Sequence, residues 1–391
     1  MLFKPDASFF RKLALGAVGA AAVRSYLNGH GHDLVELERG ALDTRLWKDV
    51  KRKRVRIPDL ICVRCGVRVE SRAKARAELS MSHSPSVAER SWDFGMVDAD
   101  LVAFPVCVAS ETVWSEGGLR DGRSLWRERD ATTWAIDGRI NVFAVAAFRR
   151  APFKTKAAKG ATEGSETQIT WPARIADAAG VVTASDRAHL AYRADGAAKD
   201  RRVRLGGDIG ASLRPGDRFE RNQILASAVP PLSAGDLKCR GTSTAADIEK
   251  MVASRERTVR FAGCRLARLR NLKGLADRIR EVASDADEDT YVRLEARAYL
   301  CVVLDEDAEQ WFGEFATRHA DQQMRLEAVV ALADTRTASA FALLNGILRD
   351  GSQPLFLRSA AAWALGTAPR TPPASSSRHS ATSSCASARR R

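Results

Sequence analysis

The segment "YVRLEARAYLCV", residues 291–302, has counterparts in "TVRFAGCRLARL" (258–269), "QMRLEAVVALAD" (323–334) and "FLRSAAAWALGT" (356–367). Their shared arginines, Arg260, Arg293, Arg325 and Arg358, lie 33, 32 and 33 residues apart. Apolar residues recur at helical spacing inside each segment, so each reads as a helix that buries one face. A constant period of this length implies stacked helix pairs, because no single pair can bury its apolar face alone. The intervening "LADRIREVAS" (275–284), "AEQWFGEFATR" (308–318) and "ASAFALLNGILRD" (338–350) supply the partner helices.

An apolar-Arg pair followed by an Ala-rich helix and "AL" resembles HEAT-like repeats. The resemblance implies a C-terminal α-solenoid over 244–368 and a surface for a protein partner. Beyond it, "PRTPPASSSRHSATSSCASARRR" (369–391) lacks large apolar side chains and reads as a disordered tail.

A chain of 391 residues is too long for one ordinary core, so several domains are expected. The net charge of +14 implies an acidic partner, most simply nucleic acid. Seven cysteines, of which Cys62 and Cys65 alone are close together, suggest no disulfide framework and fit a reducing cytoplasm. The apolar run Leu13 to Val23 is too short to span a bilayer and meets Arg24 directly, so no membrane association is expected.

Upstream of the repeats the pattern changes. A helix is predicted over 8–28, ended by the "NGHG" turn at 28–31, and short Val-, Ile- and Leu-rich runs follow from Asp33 to Cys107. One helix and several strands make residues 1–108 a compact α/β module. Residues 109–235 read as β-rich, with "GRINVFAVAAFRR" (138–150) as a strand. Its "PGD…Q.LA" turn (215–226) resembles that of small barrel-sandwich domains, which implies a barrel-like fold; the carrier lysine of such domains is missing.

The chemistry concentrates in "RIPDLICVRCGVRVESRAK", 56–74. A structural zinc needs four Cys or His ligands, usually as two close pairs. Here the second pair is missing: Cys107 stands alone, and His30, His32 and His83 have no matching spacing. A weaker reading would use Cys62, Cys65 and Cys107 as zinc ligands. The stronger one makes "CVRCG" a hairpin turn, with Gly66 at positive φ. That turn sets Asp59 opposite Glu70, and strand alternation puts Glu70, Arg72 and Lys74 on one face. Two carboxylates with a nearby cation could hold Mg2+ against a phosphodiester.

The order of a helix, a strand with acids, "PD" (58–59) and a Glu…Lys strand (70–74) resembles the PD-(D/E)xK nuclease superfamily, with its restriction-endonuclease-like fold. The resemblance covers roughly residues 8–107. It implies Asp59 and Glu70 as metal ligands for Mg2+, Lys74 as the base or phosphate contact, and Glu38 as a third acid. The lysine is displaced, since Arg72 stands at its expected place, and arginine stays protonated. The basic run Lys48, Lys51, Arg52, Lys53, Arg54 and Arg56 would gather phosphates beside such a site. Two functions therefore compete: a nucleic-acid-binding protein that would cleave phosphodiesters with Mg2+, and a non-catalytic scaffold.

Overall fold

The computed structural model describes residues 7–37, 57–109, 134–157, 167–306 and 309–367. The expected tail, Glu38 and the basic run from Lys48 to Arg56 lie outside these residues.

The chain opens with helix α1 (Ala7–Asn28), closed by a turn in which Gly31 takes φ +87°. A mixed five-stranded sheet follows, in the order β1 (Leu34–Glu36), β2 (Leu60–Cys62), β3 (Arg68–Ser71), β5 (Leu101–Phe104) and β8 (Asn141–Ala144). β3 runs parallel to β5, and the other neighbours are antiparallel. Strand alternation gives the sheet two apolar faces. Val23 and Leu27 of α1 pack with Leu34, Leu60, Cys62, Val69 and Ala103 on one of them. On the other, Ile61 joins Leu37 and Ile57 in the core of the C-terminal helices, while Val102, Phe104 and Phe143 meet Trp92, Phe148 and Trp171.

The central region departs from the barrel-like expectation. Its strands form separate open sheets among the described residues. One is β4 (Ser80–His83), β10 (Thr167–Thr170) and β9 (Lys154–Ala157). A second is β11 (Ala173–Ile175), β17 (Ile224–Ser227) and β15 (Gly210–Ala211). The third is β14 (Arg201–Arg204), β13 (His189–Ala194), β12 (Gly180–Ser185) and β16 (Arg218–Phe219). A two-stranded ribbon, β6 (Cys107–Ala109) with β7 (Trp134–Ile136), lies beside α1. The sheets interleave along the chain, since β8 completes the first sheet and β4 pairs far ahead with β10. The predicted strand over 138–150 stops at Ala144 and becomes helix α2 (Val145–Arg150). The change of period carries Phe148 into the aromatic cluster, 4.7 Å from the Trp171 ring centroid.

The C-terminal region is helical throughout its regular elements. The pairs are α3 (Ala245–Val252) with α4 (Arg257–Leu269), α5 (Ala276–Ser284) with α6 (Thr290–Leu304), α7 (Glu309–Arg318) with α8 (Gln322–Thr335), and α9 (Ala338–Arg349) with α10 (Leu355–Thr367). Each predicted repeat segment is the second helix of a pair. Two of the repeated arginines finish the preceding helices, and Arg260 bonds the loop that follows α3. Arg325 Nε donates to the Ala316 carbonyl at 2.6 Å, and Arg358 Nε to Leu348 at 3.0 Å. Arg260 Nη1 donates to Ser254 and Arg255 at 2.8 and 2.9 Å. In the second pair, Arg297 serves the Ala283 carbonyl, and Arg293 lies 6.0 Å from the Trp311 ring centroid. The last carbonyls of a helix have no partner within it, and a cation suits the negative end of its dipole. Much of the positive charge in the solenoid thus serves the fold.

Sheet and solenoid share polar contacts as well as a core. Arg68 and Asp100 are a buried ion pair with 2.8 and 2.5 Å contacts, and Arg68 Nη1 also donates to Thr258 Oγ1 of α4. Thr258 Oγ1 in turn donates to the Gly95 carbonyl at 2.7 Å. Deeper in the solenoid, Arg268 meets Glu295 at 2.8 Å, and Arg265 meets Asp334 at 2.5 Å.

Candidate functional site

The hairpin predicted at "CVRCG" is present. The Gly66 N–H donates to the Cys62 carbonyl and the Cys62 N–H to that of Val67, both at 2.9 Å, with Gly66 at φ +77°. Leu60 pairs with Val69 and Ile61 with Arg68, a register that continues to Asp59 opposite Glu70.

Asp59 keeps slight solvent exposure although protein crowds it closely, and its Oδ2 accepts the Ser71 N–H at 2.7 Å. Burial, then the negative charge of Glu70, holds its carboxyl well above the usual aspartate range; the Ser71 bond and Arg72 oppose this, and Glu36 adds to it. Glu70 is buried and pairs with Arg72 Nη2 at 2.9 Å. Lys74 points to another set: its Nζ donates to Ser80 Oγ at 2.9 Å and lies 3.6 Å from Glu78. Burial lowers its proton affinity. The structure therefore gathers Asp59, Glu70 and Arg72, with Glu36 acting on them from β1, while Lys74 serves Glu78 and Ser80. Asp100, ahead of β5, is the buried partner of Arg68.

A second cluster lies at the same hairpin. Ligand atoms of His32, Cys62, Cys65 and Cys239 all fall within 4.8 Å of one another. His32 Nδ1 is 3.5 Å from Cys65 Sγ, and its Nε2 is 3.0 Å from the Leu237 carbonyl. Cys62 Sγ accepts the N–H groups of Asp33 and Cys65 at 3.4 and 3.5 Å. Hydrogen bonding with Cys65 outweighs burial and, with the backbone N–H groups, holds Cys62 well below the usual thiol range; the same pairing and burial push Cys65 up. Cys107 stands apart, buried near the Leu15 carbonyl. The expectation that the close pair lacks companions fails here because sequence spacing does not see contacts made through the fold. His32 follows α1 and Cys239 precedes α3, and neither carries a local motif.

An open cleft of about 810 Å³ lies elsewhere, lined by His83, Asp93, Asp98, Arg149 and Glu256 among others. Arg149 bridges Asp93 and Asp98 there at 2.9 and 2.6 Å, so its charge is already matched.

Residues 273–366 match the family model of HEAT repeats. Neither the curated proteins nor the solved structures gave a match. The chain thus joins a strand-rich N-terminal and central region to a helical C-terminal region with HEAT-like repeats. Among the described residues, no helix is long and apolar enough to cross a membrane.

Proposed function

We propose that this chain is an interaction scaffold, in which the HEAT-repeat solenoid binds a protein partner and the sheet region holds its first helices in place. The observation that carries this reading is the match to HEAT repeats, a class of stacked helices that commonly mediate protein interactions. The repeated arginines support it, because Arg325 and Arg358 bond carbonyls at helix ends and Arg260 is paired with Glu288. A photoreactive side chain at Val302, exposed on α6, tests the reading in cells. A discrete, saturable cross-linked adduct is expected; absence of any adduct there and at exposed Leu355 overturns it.

A second reading is favoured by one specific observation. Extending the β2–β3 register by one residue sets Asp59, just before β2, opposite Glu70, whose charge with burial holds the Asp59 carboxyl above its usual range. A divalent cation would supply compensating charge, with Asp59 and Glu70 as ligands and Arg72 beside the phosphate. This is the Mg2+-dependent nuclease that the resemblance implies. Mg2+-dependent cleavage of duplex or single-stranded nucleic acid, lost in Asp59→Asn, would establish it. Salt-dependent binding without cleavage would instead assign a nucleic-acid partner to the scaffold.

A further inference from the structure

We propose that His32, Cys62, Cys65 and Cys239 form a closed structural zinc site that clips the sheet region to the start of the solenoid. Three separate segments converge on it: the turn after α1, the β2–β3 hairpin, and the stretch between β17 and α3. A tetrahedral site with Zn–S bonds of about 2.3 Å places its ligand atoms about 3.8 Å apart, close to the spacing seen here. The imidazole is oriented for the task. Its Nε2–H donates to the Leu237 carbonyl, which leaves the Nδ1 lone pair facing Cys65. The two backbone N–H groups at Cys62 Sγ are donors suited to a thiolate. Four protein ligands leave no open coordination position, so the site is structural rather than catalytic.

Its position gives it a role. Just beyond Cys239, Ser243 donates its N–H to the Arg64 carbonyl at 2.8 Å, and Arg270, at the C-terminal cap of α4, donates to the Ser243 carbonyl at 2.8 Å. A metal at the hairpin therefore fixes both the turn beneath Asp59 and the lead-in to the first repeat. Protons compete with the metal for the cysteine sulfurs and the imidazole, so loading weakens in acid.

The test is elemental analysis of the full chain purified under reducing conditions, followed by exchange with Co2+. One zinc per chain, and a tetrahedral Co2+ spectrum with thiolate-to-metal charge-transfer bands, are expected. Cys239→Ser removes a ligand and should weaken Co2+ binding by more than the roughly tenfold typical of losing a group that only orients a ligand. Cys107→Ser should leave it unchanged. Failure of the reduced wild-type chain to take up zinc or Co2+ overturns the proposal without relying on any variant. So does a Co2+ spectrum that lacks thiolate bands, or equal loss of binding in Cys107→Ser.

Discussion

The solenoid matches its buried charges throughout the pairs described above, whereas the first sheet matches one and leaves another unmatched. In the solenoid, Arg325 and Arg358 meet carbonyls at helix ends, and Arg265 and Arg268 meet Glu295 and Asp334. In the sheet, Arg68 and Asp100 follow the same rule. Asp59 does not. Its neighbours Glu70 and Glu36 repel its charge, and Arg72, which opposes them, is already paired with Glu70. The difference shows which charges the fold consumes and which it leaves for something else.

The largest effect that would sharpen this contrast is at Arg68. Arg68→Ala leaves Asp100 buried and unpaired, and should cost about 3–5 kcal/mol of stability in denaturant unfolding. Replacing both partners with leucine should recover most of that loss. Recovery would show that the pair is needed for matching rather than for net energy.

Arg325→Ala comes next, since it strips charged hydrogen bonds from the Ala316 carbonyl and from Gln353. A loss of about 1.5–3 kcal/mol is expected, with faster amide exchange around the end of α7. Gly263 offers a steric counterpart. It occupies the repeat position held elsewhere by Ala296, Ala328 and Ala361, and a Cβ there would sit 2.7 Å from the Val252 backbone nitrogen. Gly263→Ala should therefore destabilise the first helix pair by about 1–3 kcal/mol, although alanine is the better helix former.

Asp59→Asn should show the smallest effect, with the opposite sign. Because the folded carboxyl holds its proton to higher pH than the unfolded one, the wild type loses stability as pH rises through that window. The variant has no such loss. It should match the wild type below about pH 3, where the carboxyl is protonated in both states, and melt higher than it at neutral pH. Equal pH profiles would break the contrast between the two regions.

These differences explain what was legible in the sequence. The solenoid repeats local contacts at a fixed spacing, so Arg260, Arg293, Arg325 and Arg358 mark its helices directly. The hairpin was equally local, since Gly66 fixes its turn and the register follows from it. Contacts across the fold left no such signal. His32 and Cys239 meet the hairpin cysteines only after α1, the sheets and the approach to α3 are in place. Asp100 gives the same lesson, for its partner lies 32 residues upstream on β3. The open central sheets also depend on long-range pairing, such as β4 with β10, which strand patterns alone do not specify.

The claim that this protein works by binding is tested most directly with purified wild type, Mg2+, and labelled duplex DNA, single-stranded DNA and RNA. The account predicts that all three stay intact and that Mg2+ leaves the melting temperature unchanged. Mg2+-dependent cleavage by the wild type that disappears in Asp59→Asn would contradict it.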